Sequence, residues 1–459
     1  VNFPSSLFAG RGFFVLGPLN TEKELSFLME PVKAQRGTQD ILPGQTEHWR
    51  NVESILQREA ETCGFHEIRT PLFEDTRLFE RSVGETTDVV EKEMYTFKDR
   101  GGRSVTLKPE GTAGAVRAYL EHGLYNSPMP VRLFYFTPCY RYERAQAGRL
   151  REFHQFGVEE FGSKLPLADA GLIAMADGMF HRLGIKNLIL KINSIGCPEC
   201  RAKYERALRD YFSARREQLC ETCRSRLERN PMRILDCKNP SCQEVAAKAP
   251  HMIDFLCESC REHFSGVRAG LDSAGVRYEI DPTIVRGLDY YTRTVFEFVS
   301  GDLGAQSTVC GGGRYDGLVQ EMGGKPTPAL GFAMGLERLL IILNARKIQF
   351  PPRKTCDLYI AALGSEAQTE AFRIACLLRK DSDAVLYDEI GRSLNAQMKY
   401  AGKIGAKFTM VLGSNEQKAG KAALKNMKTG ETVPVSLSGD LQRQFSAILT
   451  AAGFQKNGA

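Results

Sequence analysis

Two apolar, alternating runs flank a polar, basic interruption within residues 131–161, VRLFYFTPCYRYERAQAGRLREFHQFGVEEF. The pattern predicts two antiparallel strands joined by a loop at 145–151, longer than a tight turn, with Gly148 near its tip. Strand side chains alternate between faces, so Arg141 and Glu143 share one face of the first strand. On the return strand Phe153, Gln155, Gly157 and Glu159 share a face, while His154, Phe156 and Val158 take the other. A face carrying a cation, two carboxylates, an amide, an aromatic ring and a glycine gap is a poor core and a good floor for a charged ligand. A solvated antiparallel sheet accounts for the same alternation.

Upstream, residues 36–44 are turn-rich and end at Pro43-Gly44. Thr46 is then placed to cap a helix to about Cys63, with Val52, Ile55, Leu56 and Ala60 on one stripe. Residues 65–71 read as a strand ending at proline. A short strand at 103–106 leads into LKPEGTAG (107–114), where Glu110 and Thr112 sit at a bend shaped by proline and glycine. A carboxylate and a hydroxyl there suit an ammonium group; alternatively, Glu110 answers the dipole of a helix over 113–120.

Downstream, IVRGLDYYTRTVFEFV (284–299) begins as a loop and becomes an alternating strand. Arg286, Asp289, Tyr290 and Tyr291 cluster where loop meets sheet, a common place for function. CGGGRYD (310–316) allows close backbone approach to a ligand. It is not a P-loop, because no Gly-Lys-Ser/Thr comes after it. ALGFAMGLERLLIIL (329–343) predicts a small-residue strand turning at Gly335 into an apolar helix. Arg338 stands in the first turn of that helix, where a cation opposes the dipole and needs another reason to be present. A linker at 350–354 precedes strand-like and helical segments that alternate at 358–363, 366–379, 384–388, 393–401 and 408–413. This βαβ order predicts a small, mostly parallel sheet.

Composition narrows the class. A chain of 459 residues is expected to hold about two or three domains. With 42% hydrophobic and 25% charged residues, it reads as an ordinary globular, soluble protein. The net charge of +6 permits a polyanionic partner without demanding one. No apolar run approaches the roughly 20 residues needed to span a bilayer, so no membrane partner is expected. Thirteen cysteines without a convincing signal peptide point to a reducing, cytoplasmic compartment. Residues 1–30 fit poorly with the rest of the chain and lack a cationic n-region and a cleavage site. They are read as an N-terminal extension, with Met29 as the expected native start.

Eight of the thirteen cysteines fall in four pairs: Cys197-x-x-Cys200, Cys220-x-x-Cys223, Cys237-x4-Cys242 and Cys257-x-x-Cys260. Such spacing lets one turn offer two soft ligands to a tetrahedral Zn²⁺. The eight suffice for two closed sites, or for one site plus free thiols; a helical insert with buried cysteines is the plainer alternative. All-sulfur sites leave no open coordination position, so the metal would be structural. The Arg/Lys-rich stretches 201–216 and 224–233 suit RNA phosphates or simple solvation.

The segment YRYERAQAGRLREFHQFGVEEFG resembles motif 2 of class II aminoacyl-tRNA synthetases, in the form found in the histidyl-tRNA synthetase family. The helix–strand–proline unit resembles motif 1, which in the family forms the dimer interface, and 329–343 resembles motif 3. VRGLDYY (285–291) resembles the family's histidine-specific LVRGLDYY, and GRSLNAQMKYAGKIGAKFTMVLG resembles its anticodon-binding domain. The resemblance implies an α+β fold: a class II antiparallel-sheet catalytic domain over 31–345, interrupted by a Cys-rich helical insertion at 197–280, then an α/β anticodon-binding domain at 353–459. It implies activation of L-histidine with ATP and Mg²⁺, transfer to histidine tRNA, and a homodimer. By the same resemblance, Arg141 and Arg286 are the catalytic pair. Glu110, Thr112, Gln155, Glu159, Tyr290 and Tyr291, with both arginines, hold histidine. Glu143, Arg149, Phe153 and Arg338, with Arg141, hold ATP. Gln146 faces the acceptor end of the tRNA, although the family's usual ERPQ is Glu143-Arg144-Ala145-Gln146 here. The alternatives are a regulatory subunit of ATP phosphoribosyltransferase built on the same fold, and a class II synthetase for another amino acid. Retention of Arg141, Arg286, Arg338 and the C-terminal domain disfavours the first, and residues 286–291 disfavour the second.

Overall fold

The computed structural model describes residues 32–453, apart from 85, 86, 88, 147, 236, 238, 285, 304–307, 349, 351–355 and 382. The extension read at 1–30, with Met29, lies outside them. The chain divides into two compact units, Val1–Phe350 and Pro351–Ala459. No helix among the described residues is long and apolar enough to cross a membrane.

The first unit opens with helix α1, Gln45–Thr62, which buries Trp49, Val52, Leu56 and Ala60. Gly44 occupies its N-cap without a side-chain bond, so Thr46 lies inside the first turn rather than capping it. Strand β1 (His66–Glu67) is shorter than the 65–71 segment suggested, because as an edge strand it pairs only with Leu133 and Phe134 before turning toward Pro71. Strands β2 (Phe73–Asp75), β3 (Tyr95–Lys98) and β4 (Ser104–Leu107) form a small separate sheet. Helix α2 (Thr112–Glu121) comes next, and then the long hairpin, β5 (Val131–Tyr140) and β6 (Glu152–Phe161). The connection between these strands is longer than the 145–151 loop expected from the sequence, since Arg141 and Glu143 already lie outside β5.

Helix α3 (Pro166–Arg182) and β7 (Ile189–Ser194) precede the insertion, which contains helix α4 (Pro198–Ser213) and ends in helix α5 (Glu258–Ser273). The unit closes with β8 (Glu279–Ile280), β9 (Thr292–Val299), β10 (Thr308–Arg314), β11 (Ala329–Gly335) and helix α6 (Leu336–Ala345). The main sheet has the order β1-β5-β6-β11-β10-β9-β7-β8. It is antiparallel from β5 to β7 and parallel only at its two edges.

One face of this sheet carries the main core, where Phe156, Val158, Phe296, Phe298, Phe332 and Met334 pack against α1, α3, α5 and α6. Alternation therefore commits Phe153, Gln155, Glu159 and Glu297 to the opposite face. Arg314, fully buried at the end of β10, fastens the sheet to α3 through Asp169 and the Ser163 carbonyl, the latter at 2.7 Å. The insertion has a separate core around Tyr204, Leu208, Phe212 and Ile234, in which all eight of its cysteines take part.

In the second unit β12 (Leu358–Ala362), β13 (Val385–Tyr387), β14 (Phe408–Leu412), β15 (Lys421–Asn426) and β16 (Thr432–Ser436) form a sheet of order β13-β12-β14-β15-β16. The expected parallel pairs are present as β12/β13 and β12/β14, but β14, β15 and β16 run antiparallel. The sheet is thus mixed rather than mostly parallel. Strand β15 (KAALKN) is rich in residues with weak strand propensity, yet Ala422 and Leu424 are buried on its inner face.

Candidate active site

Above the middle of the main sheet lies a cleft of ≈ 200 Å³. Eleven of the residues singled out from the sequence line it: Glu110, Thr112, Arg141, Glu143, Arg149, Phe153, Gln155, Arg286, Tyr290, Tyr291 and Arg338. Each is held there for an identifiable reason.

The Glu110 carboxylate accepts the backbone N–H groups of Thr112 (2.7 Å) and Ala113 (2.8 Å) and so caps α2. Glu110 thus stands at the helix terminus and in the cleft lining at once. Burial raises its pKa, opposed by those two backbone donors. Gln155 accepts from the Gly111 N–H at 3.2 Å, tying β6 to the same turn. Arg141 donates to the Pro109 carbonyl at 2.8 Å and lies over the Phe153 ring.

A second group of side chains converges from the hairpin connection and motif 3. Arg149 pairs with Glu143 at 3.1 Å, and Arg141 approaches the same carboxylate at 4.0 Å. Arg338 donates to the carbonyls of Gly148 (3.1 Å) and Thr308 (2.6 Å). Burial lowers the Arg338 pKa, and repulsion from Arg149 and Arg141 adds to the effect. Several cations held this close lack a full complement of anions, which is the electrostatic signature of a polyanion site.

Arg286 enters from the loop before β9. It is paired with Glu297 and lies over the Tyr291 ring, and its Nε is buried with no hydrogen-bond partner among the described residues. Glu297 also accepts the Thr308 hydroxyl at 2.9 Å. A Cβ at Gly311 would overlap the Arg286 guanidinium, so this position admits only glycine while Arg286 keeps its place.

Glu159 lies beneath the cleft floor, 1% exposed. It accepts the Tyr135 hydroxyl at 2.9 Å and is also bonded by Tyr315, which does line the cleft. Tyr291 faces Arg286 and the rings of Tyr290 and Tyr315. Burial pushes the Glu159 pKa up to about 8, against the hydrogen bonds from Tyr315 and Thr112, with the Glu110 charge pushing further. A Cβ at Gly331 would collide with Glu159, so β11 passes over it only as glycine. Gln146 is not among the cleft residues; it lines a neighbouring groove with Trp49 and Ile341.

Sequence reasoning missed Tyr135, Glu297 and Tyr315. Glu297 had a signal, as a lone carboxylate inside an apolar alternating strand. Tyr315 stood in the CGGGRYD segment but was hidden behind its glycines. Tyr135 reads as one aromatic among many.

The eight insertion cysteines separate into two foursomes: Cys197, Cys200, Cys257 and Cys260, and Cys220, Cys223, Cys237 and Cys242. Within each, all ligand atoms lie within 4.8 Å of one another. None of the thirteen cysteines is in a disulfide.

A family model described as histidyl-tRNA synthetase matches residues 37–339, and one described as anticodon binding domain matches residues 357–440. A histidine–tRNA ligase from Acetivibrio thermocellus is 54% identical over 405 residues, covering 88% of this chain and 97% of its own. One from Clostridium novyi is 51% identical over 418 residues, covering 91% and 99%. The crystal structure of apo S. aureus histidyl-tRNA synthetase superposes with a TM-score of 0.78 at 39% identity, covering 90% of this chain and all of that one. A Bacillus halodurans structure described as an ATP phosphoribosyltransferase regulatory subunit/histidyl-tRNA synthetase shares the fold, with a TM-score of 0.60 at 22% identity. Motifs, sheet order and relatives agree: the chain belongs to the histidyl-tRNA synthetase family, with a class II catalytic unit followed by an anticodon-binding domain.

Proposed function

We propose that the cleft activates L-histidine with ATP and that the enzyme then esterifies histidine tRNA. The observation that carries the reading is the convergence of four guanidinium groups, Arg141, Arg149, Arg286 and Arg338, on one cleft with a buried carboxylate floor. In the first step the histidine carboxylate oxygen attacks the α-phosphorus of ATP, forming the acyl-phosphate bond as the bond to pyrophosphate breaks. In the second, the terminal ribose hydroxyl of the tRNA attacks the histidyl carbonyl, and AMP leaves.

Arg141 screens the repulsion between the substrate carboxylate and the α-phosphate. Arg286 stabilises the charge that builds at the transferring phosphorus, and its buried, unpartnered Nε supports that role. Arg149 and Arg338 bind the β/γ end of ATP, where fixed charge and bidentate geometry suit guanidinium. Glu143 joins the ATP site, and Phe153 stacks on adenine. Mg²⁺ accompanies ATP, held mainly by its phosphates.

Glu110, Thr112 and Gln155 receive the substrate ammonium, Glu159 and Tyr291 read the imidazole, and Tyr290 completes the histidine site. A pocket built to hydrogen-bond both ring nitrogens rejects apolar isosteres, whose binding would leave its polar groups unpaired. Gln146, outside the cleft, faces the tRNA acceptor end. The catalytic domain spans 31–345, the insertion 197–280 and the anticodon-binding domain 353–459. The protein works as a cytoplasmic homodimer through the helix–strand unit at its N-terminal side, and its Cys-rich insertion carries structural Zn²⁺.

Amino-acid-dependent ATP–pyrophosphate exchange, run with each of the twenty amino acids, tests the reading. Exchange with histidine alone is expected. Exchange with a different amino acid overturns the specificity. A folded protein inactive with all twenty, with and without tRNA, points to a regulatory subunit.

A further inference from the structure

Four thiolates around one Zn²⁺ at about 2.3 Å in a tetrahedron stand about 3.8 Å apart. In the first foursome Cys197 Sγ lies 3.5 Å from Cys200 Sγ and 3.9 Å from Cys257 Sγ. In the second, Cys220 Sγ lies 3.9 Å from Cys237 Sγ. Backbone N–H groups already point at the sulfurs: Cys257 to Cys200 at 3.0 Å, Cys220 to Cys242 at 3.2 Å, and Asn239 to Cys237 at 3.4 Å. Such donors orient and stabilise metal-bound thiolates. Sulfurs this close enclose a single ion, whereas a multi-iron cluster, with sulfides between its irons, holds its cysteines farther apart. The insertion also has a reason to need metal, because a helical lobe of about 80 residues buries little apolar surface by itself.

Each foursome adjoins an arginine that grips the loop carrying Arg286, Tyr290 and Tyr291. Arg201, next to Cys200, donates to the carbonyls of Asp289 (3.4 Å) and Tyr291. Arg233, in the short turn Pro231–Ile234 before Cys237, donates to the carbonyl of Gly287 and to Asp289 Oδ1, both at 2.9 Å. Among the described residues the loop has no regular secondary structure of its own between β8 and β9. Its backbone carbonyls are accordingly fixed from the insertion side.

We infer that the two cysteine foursomes are two separate structural zinc sites that set the position of the histidine-binding loop through Arg201 and Arg233. This rests on the histidine-activation reading only for the loop's role in substrate binding. Arg201 and Arg233 are positioning residues, since they touch the loop and not the substrate.

The test uses the full-length purified protein. Metal analysis is expected to find about two zinc equivalents per chain, and about one after Cys242→Ser or Cys200→Ser. Arg233→Met keeps both metals. It should raise the KM for histidine in pyrophosphate exchange by at least about tenfold, the scale of one hydrogen bond from a charged donor, since Arg233 gives up three to the loop. Its kcat should fall as well, because the same loop carries Arg286, while its KM for ATP stays near wild type, and Arg233→Lys should recover part of the loss. Amide hydrogen exchange over 286–291 should quicken in Arg233→Met and in Cys242→Ser, while the C-terminal unit stays unchanged. Absence of zinc, or a single equivalent in wild type, overturns the two metal sites. Two zinc ions with unchanged amide exchange over 286–291 in Arg233→Met overturn the coupling. A wild-type protein inactive with histidine refutes the activity reading, and the metal count and amide exchange still decide the inference.

Discussion

Histidine binding should expel a proton from the protein, and Glu159 is the reason. Its carboxyl group is 1% exposed, and burial holds its pKa at about 8 in spite of the tyrosine hydroxyls that donate to it. At pH 7 the ligand-free carboxyl therefore keeps its proton in about nine molecules of ten. The folded-state pKa lies above the unfolded one, so this group's contribution to stability is fully present below about pH 4.5 and lost as the pH rises through about 8. An arriving ammonium group and a ring N–H donor favour the carboxylate. Binding should then release about 0.9 proton at pH 7 and about 0.5 at pH 8, and affinity should tighten about fivefold between them. Titration calorimetry in phosphate and in Tris, whose ionisation heats differ, reads the proton count directly. Glu159→Gln should lose this release and retain only what the ligand's own imidazole contributes. Equal proton counts for wild type and Glu159→Gln, or no release by wild type, would refute the reasoning.

Three other substitutions probe the same geometry. Gly311→Ala should displace the Arg286 guanidinium and slow histidine-dependent exchange by about 100-fold, the scale of a 1 Å misplacement; a normal rate would show that Arg286 is not positioned through this contact. Arg286→Ala should lower adenylate formation by at least about 100-fold with an unchanged circular dichroism spectrum, and near-normal activity would contradict its assigned role. Arg314→Leu should cost about 3 kcal/mol in urea unfolding, because it leaves buried Asp169 with only His263 beside it, at 3.2 Å; an unshifted midpoint would contradict that account.

Local pattern was enough for much of this protein. The alternation of β6 already separated Phe153, Gln155 and Glu159 from Phe156 and Val158, because side-chain direction in a strand is set by neighbouring residues alone. The strand-to-helix turn at Gly335 and the loop before β9 were legible for the same reason. Boundaries were less so: β1 shrank to its two edge-paired residues, and β15 formed from weak strand formers because β14 and β16 were there to pair with it.

What only the tertiary structure decided is the set of meetings between distant residues. The order β6-β11-β10-β9 brings Gly331 over Glu159, Glu297 onto Arg286, and Tyr315 into the cleft. Nested pairing of the cysteines, with the outer four enclosing the inner four along the chain, was one of several partitions the spacing allowed. Periodicity records which way a side chain faces, whereas its partner across the sheet depends on strand order and register. Those are settled by the burial and pairing of the whole unit at once.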